Sequence, residues 1–492
     1  MVNATTVAGL ARPHGGHCEP PIREGADTAR PARAGALDAP EPATPFSEDA
    51  LALEFTSRHG ERLRFVNAWG KWFEWTGTRW QDENTLHVFD LARSVCRHAA
   101  TEAKSPNAAF TLSKSATISA VERLARADRR HATTTDRWDA DPWLLNTPNG
   151  VVDLRTGEMT PHRADLYMTK ITAVGPGGEC PRWVAFLRQV TGGDQEMVDF
   201  LQRALGYALT GITREHALLF IYGTGANGKS VLLNCVAGLM GDYATVAPME
   251  AFTASVGDRH PTDMAGLRGA RLVTAQETEE GRLWAEARIK SLTGGDPITA
   301  RFMRQDFFTF TPQFKLVIAG NHKPGLRNVD EAVRRRLHLI PFGVTIPAGD
   351  RDPFLPEILK AEWPGILKWM ITGCLKWQKI GLKPPPAVVE ATAEYLEVED
   401  SFSAWLAECC EPGAGGFEPS ARLFASWSQW AHVAGEAPRT QKWFAEQMEA
   451  RGYRRAKRSK GKVRGFTDIT IVAANEQGAG KDVGRPPPGD TR

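Results

Sequence analysis

The sequence predicts an α/β protein: a parallel-sheet core in the middle of the chain, a smaller α+β region before it, and a helical region ending in a hairpin after it. Three observations carry this. Between residues 211 and 345, short and almost wholly apolar runs alternate with helical stretches: ALLFIY (217–222), RLVTAQ (271–276), FKLVIAG (314–320) and LHLIPF (337–342). Strands covered by helices on both sheet faces read this way. The first run leads through a glycine-rich loop into a helix. Pro384-Pro385-Pro386 and Gly/Pro-rich ends punctuate the rest.

Composition sets the outer limits. The chain has 492 residues, 42% hydrophobic and 24% charged, enough to build several cores and to exclude wholesale disorder. With 60 basic against 58 acidic residues the net charge is +2, which excludes a uniformly basic nucleic-acid coat and leaves room for a local patch. The seven cysteines are odd in number and include no CxxC, which points to a reducing compartment. There is no long apolar span and no signal-peptide core, so a soluble cytoplasmic protein with no membrane partner is expected.

The elements follow in order. Residues 1–48 are Ala/Pro/Gly-rich and predict a disordered tail; His14, His17 and Cys18 lack the fourth ligand a metal site would need. Residues 51–210 form the first ordered region. RFVNAWGKWFEWTGTRW (64–80) predicts a β-meander whose tryptophans fill a small core. Helix spacing follows over 84–131, then turn chemistry in LLNTPNGVVDLRTGEM (144–159), then a helix over 183–209. The core occupies 211–383 and includes a helix pair at 355–380. The proline triplet reads as a stiff spacer opening a last region, 384–472, with helices at 388–409, 420–434 and 440–450 and two strands at 453–472. Residues 473–492 predict a second disordered tail.

The loop is Gly223-Thr224-Gly225-Ala226-Asn227-Gly228-Lys229-Ser230, which fits GxxxxGK[ST] between strand and helix. Glycines let backbone N–H groups close around phosphate oxygens, and the helix start adds a field that favours negative charge. Lys229 supplies a cation for the β/γ-phosphates and Ser230 a hydroxyl ligand for Mg²⁺, so ATP with Mg²⁺ is the expected ligand. Such a loop needs a carboxylate on a neighbouring strand end. Glu277, the first acid after RLVTAQ, is the candidate for metal, with Glu279 as alternative or as a second acid polarising water. Asn321, after the third run, can sense the γ-phosphate or hold the attacking water. Arg334-Arg335-Arg336 precede the last run; an arginine there can stabilise charge on a transferring phosphoryl group and, in a ring, reach a neighbour's nucleotide.

GTGANGKS, VTAQETEEG, KLVIAGNHKP and RRRLHLIPF together resemble superfamily 3 helicases, and more closely the helicase half of phage and plasmid primases, the branch similar to the poxvirus primase-helicase. DPWLLNTPNGVVDLRTGE (141–158) and ECPRWVAFL (179–187) resemble the segment preceding the helicase there. The resemblance implies an AAA+-like P-loop core, a homo-hexameric ring hydrolysing ATP, and 3′ to 5′ movement on single-stranded DNA during replication. It implies a Walker B role for Glu277, a third-motif role for Asn321, an arginine finger among Arg335 and Arg336, and a separate primase or polymerase as partner. The acids stand as Glu-Thr-Glu rather than adjacent, so which of Glu277 and Glu279 holds metal stays open. Nothing before residue 50 is rich enough in apolar residues to fold as a primase, so no primer synthesis is expected.

DNA contacts are expected in two places. PITARFMRQDFFTFTP (297–312) predicts a hairpin that, in family terms, projects into the ring channel, with Lys290, Arg301 and Arg304 as phosphate contacts. Near the C-terminus, Arg451, Arg454, Arg455, Lys457, Arg458, Lys460, Lys462 and Arg464 cluster with no acid among them. Helix–helix–hairpin order there resembles a winged helix, with the cluster on the wing and origin DNA as ligand. The competing expectation is an ATP-switched DNA-binding initiator or loader that does not unwind.

Overall fold

The structure, a computed structural model, describes residues 43–254, 262–277, 282–303, 306–326, 329–435, 440–458 and 463–472. Four residues singled out above, Glu279, Arg304, Lys460 and Lys462, lie outside the described residues, as do both expected tails save 43–48.

The core is a five-stranded sheet. Numbered along the chain, its strands are β1 (Leu218–Tyr222), β2 (Ala244–Val246), β3 (Leu272–Glu277), β4 (Lys315–Gly320) and β5 (Leu337–Pro341), and their spatial order is β5-β1-β4-β3-β2. Every neighbouring pair is parallel. Alternation divides the apolar runs between two cores. Leu219, Ile221, Val317 and Ile340 join one with the helices Gln195–Ala208, Lys229–Met240 and Trp363–Ile380. Leu218, Phe220, Ile318 and Leu339 join the other with Glu286–Gly294 and Pro386–Val398. Two-sided burial explains why these strands read as continuous apolar runs. The sequence reading missed β2, a three-residue edge strand of half-exposed residues with no such run.

Two expected boundaries are corrected. The helix over 183–209 is two helices, Pro181–Val190 and Gln195–Ala208; Gly192 and Gly193 take positive φ and Asp194 caps the second by accepting from Met197 N. The proline triplet is not a spacer. Pro386 opens the helix Pro386–Val398, whose Thr392 Oγ1 accepts from Leu339 N of β5 at 2.9 Å. Proline suits a helix's first turn as well as a linker. The C-terminal unit therefore starts at the helix Ser401–Cys409, capped by Asp400, rather than at residue 384.

The N-terminal unit opens with the helix Glu48–His59 and carries the expected meander (Leu63–Val66, Lys71–Trp75, Trp80–Asp82), joined by Ala132–Thr133. Trp72 and Trp80 are buried in it. A buried cation fastens this unit to the sheet. Arg271, just before β3, donates to Leu209 O and Leu144 O at 2.8 Å and lies over the Tyr243 ring. Replacing Arg271 with Met strands both carbonyls and should cost about 2–3 kcal/mol, read as a lower urea midpoint. An unchanged midpoint would remove that role.

The C-terminal unit runs helix (Ser401–Cys409), strand (Cys410–Pro419), helix (Ser420–Val433), helix (Gln441–Ala450), strand (Arg455–Arg458), strand (Val463–Ile471). Its antiparallel sheet places the last strand between the other two. The first of these strands was not expected: Pro412, Gly413, Gly415 and Gly416 read as loop, and its register shifts between Pro412 and Phe417. Among the described residues, no helix is long and apolar enough to cross a membrane.

Candidate active site

The glycine-rich loop joins β1 to the helix Lys229–Met240. Gly223 has no room for a side chain: a Cβ would stand 2.1 Å from Asn227 Nδ2 and 2.3 Å from Phe342 O. Gly225 and Ala226 take positive φ, and Gly228 caps the helix at φ 81° while Phe186 and Val190 press on the same point. Asn227 is buried and braces the loop from within, donating to Phe342 O at 3.1 Å. The stretch after β5 closes the far side: Ile346 N donates to Ala226 O at 2.9 Å and Thr345 meets Thr224. Among the described residues, no backbone N–H from Gly225 to Ser230 has an acceptor. Consecutive open N–H groups at a helix start form an anion cradle.

Lys229 lies in that cradle at 7% exposure. Its ammonium donates to Gly223 O at 2.8 Å, Asn227 Oδ1 at 2.9 Å and Asn321 Oδ1 at 3.0 Å. All three acceptors are neutral, and burial holds its pKa below the usual lysine value. A cation so placed is desolvated, and among the described residues no acidic side chain pairs with it, which favours an arriving anion. Ser230 follows, exposed in the first turn.

Strand register assembles the other motifs. Glu277, Gly320, Tyr222 and Pro341 stand in one row across the sheet. Asn321 therefore leaves the sheet edge beside Gly223, which is how it reaches Lys229. Glu277 is the last residue of β3 rather than the first after it. At ordinary strand spacing its backbone stands about 10 Å from that of Tyr222, two strands away. Ser230 and Glu277 are the residues that would hold a Mg²⁺, which takes only one or two protein ligands and retains several waters.

The arginines divide. Arg335 caps the short helix Glu331–Arg334 and is exposed, with no ion pair among the described residues. Arg336 is buried, bonded to Thr293 Oγ1 at 3.2 Å and Ala332 O at 2.8 Å; burial, then the Arg335 charge, lowers its pKa. Lys290 is also spoken for, paired with Asp330. The hairpin exists as Ile298–Ala300 against Phe308–Phe310; Arg301 lies over the Phe307 ring, and Phe302, Met303 and Phe307 are exposed at its end.

The C-terminal cations divide likewise. Arg451 pairs with Asp400 at 2.7 Å, Arg454 with Asp468 at 3.3 Å and Arg455 with Glu449 at 2.5 Å. Arg458 lies over Phe417 and donates to Gly415 O. Lys457 and Arg464 face each other across the last two strands, exposed and without an acidic partner among the described residues.

Residues 52–192 match the family described as "D5 N terminal like", and residues 221–336 match a "Family of unknown function (DUF5906)". A protein of Acanthamoeba polyphaga mimivirus, provisionally named a helicase, is 25% identical over 295 residues, 55% of this chain and 31% of the relative. One of Frog virus 3, also provisionally named a helicase, is 27% identical over 255 residues, 47% of this chain and 26% of the relative. The African swine fever virus protein C962R, provisionally named a primase, is 27% identical over 214 residues, 40% of this chain and 22% of the relative. This chain is thus similar, over its D5-like segment and the segment after it, to viral proteins provisionally named helicases and primases. It covers less than a third of these relatives' lengths. Among solved structures, the apo C-terminal region of NrS-1 aligns with a TM-score of 0.46 at 12% identity, covering 86% of this chain and 99% of that one.

Sequence reasoning missed Asn227 as a brace, the closure by Phe342, Thr345 and Ile346, and the seat of Phe186 against Gly228. Asn227 occupies a variable position of the loop motif, and the other contacts join segments far apart in the chain. Local pattern carries no signal for them.

Proposed function

We propose that this chain is an ATP-dependent DNA helicase of replication, working as a homo-hexameric ring with ATP and Mg²⁺ bound at the glycine-rich loop. The observation that carries the reading is the buried Lys229 ammonium, held among the described residues by neutral oxygens only, in a cradle of open N–H groups beside Asn321. In this mechanism the loop amides and Lys229 bind the β- and γ-phosphates. Ser230 and Glu277 would hold Mg²⁺, which neutralises phosphate charge when bound. Asn321, leaving its partner Lys229 as phosphate arrives, orients the attacking water, with Glu277 or Glu279 accepting its proton. Arg335 stabilises the charge that develops on a neighbouring subunit's γ-phosphate. The names of the viral relatives support a replication helicase or primase-like role.

We read the C-terminal helix–strand–helix–helix–strand–strand unit as a winged helix, the last two strands forming its wing. Lys457 and Arg464 are the contacts that the wing offers to DNA phosphates, since like charges facing across strands repel unless a ligand screens them. Changing both to Glu should weaken binding by tenfold or more and lower the slope of log affinity against log salt by about 2. Anisotropy with labelled duplex across a salt series measures both, and an unaltered slope would clear the wing. Lys290 and Arg451, already paired, should instead change stability.

Strand displacement on a forked duplex tests the whole reading, with displacement dependent on ATP. Hydrolysis stimulated by DNA without displacement would instead favour an ATP-switched initiator or loader.

A further inference from the structure

Beside the phosphate cradle lies a cavity of about 540 Å³, opening at Ala226 and Gly228. One wall is the helix Pro181–Val190, presenting Ala185, Phe186 and Gln189; the other is Val231, Ile346 and Leu355. The walls are mainly apolar and on the scale of small-ligand pockets. Phe186 is buried and seated against Gly228, so the wall is fixed to the loop itself. Three of the four charged side chains at the rim are occupied, Arg182 pairing with Asp352 at 3.2 Å and Arg351 Nε donating to Ile346 O at 2.9 Å, while the exposed Asp350 carboxylate has no partner among the described residues. The Gln189 amide has no partner among the described residues and is exposed into this space.

We propose that the base of the nucleotide occupies this cavity and that Gln189 makes it select adenine over guanine. The inference rests on the loop binding triphosphate, as proposed above. A nucleotide with its phosphates in the cradle must extend its ribose and base away from Lys229, and the cavity begins where the loop ends. An amide presents one donor and one acceptor side by side. Adenine offers the complementary pair at N7 and its exocyclic amine, whereas guanine offers two acceptors on that edge. The base then lies against the helix Pro181–Val190, whose Trp183, Phe186 and Leu187 share a core with Leu219 and Ile221 of β1.

The test measures binding of MgATP, MgGTP and magnesium tripolyphosphate to the full chain. Wild type should bind ATP about tenfold or more tighter than GTP, and Gln189→Ala should bring the two within about threefold. Ala185→Trp, at an exposed helix position, should fill the cavity and weaken ATP by tenfold or more while leaving tripolyphosphate binding intact. Circular dichroism checks that both variants fold. Unchanged ATP affinity in Ala185→Trp overturns the location of the base, and unchanged preference in Gln189→Ala overturns its reading of adenine. If wild type binds ATP but not tripolyphosphate, or neither ligand, the phosphate reading itself has failed and this inference falls with it.

Discussion

Lys229→Ala should lower ATP turnover by at least about 10²–10³-fold, the loss expected when a preorganised donor to developing charge is removed. The structure makes the expectation sharper than the motif alone. Three neutral oxygens converge on one ammonium, and Lys229→Arg should fail as well, because a planar fork cannot donate to Gly223 O, Asn227 Oδ1 and Asn321 Oδ1 from one point. Burial already lowers the lysine's pKa in the ligand-free protein, and arriving phosphate charge raises it again. Binding therefore takes up a proton wherever the free protein has lost it. ATP affinity should fall as pH rises through the ligand-free value, which lies below the usual 10.5. Isothermal titration across alkaline pH measures this, with Lys229→Ala as the flat control. Turnover retained in Lys229→Ala would falsify the nucleotide assignment.

The position of the loop was legible in the sequence because its signals are local. An apolar run, a glycine pattern and a helix start lie within two dozen residues, and each follows from backbone sterics or two-sided burial. The same holds for β3, β4 and β5. Elements lacking that signature were lost: β2 lives on pairing with Thr274 and its neighbours, and the strand Cys410–Pro419 is stabilised at an edge despite its glycines and prolines. Charge was the least legible property. Eight cations in one stretch read as a single patch, yet Arg451, Arg454 and Arg455 have acids from elsewhere in the unit folded against them. Distant partners decide whether a cation is available, and spacing along the chain does not report them. The cavity beside Gly228 has the same origin, since Ala185, Phe186 and Gln189 meet Ile346 and Leu355 from more than 150 residues further along the chain.

That distinction is why Arg335 rather than Arg336 is proposed as the finger, a choice the sequence left open. A finger acting on a neighbouring subunit must reach beyond its own fold, and Arg335 is the exposed member of the pair. Arg335→Ala should leave ATP affinity and the melting temperature unchanged and lower kcat by about 10³-fold or more, the worth of an arginine on a transferring phosphoryl group. Arg336→Ala should behave differently. It strips a donor from Thr293 Oγ1 and Ala332 O inside the subunit, costing about 1–3 kcal/mol of stability, and any loss of turnover should track the unfolded fraction. Mixed assemblies complete the argument. Arg335→Ala subunits carry an intact loop, and Lys229→Ala subunits carry an intact Arg335. A mixture of the two should regain turnover at junctions where a wild-type loop faces a wild-type arginine, whereas each variant alone stays inactive. Absence of that complementation, with stable mixed assemblies in hand, would mean that Arg335 acts within its own chain and that the site does not lie between subunits.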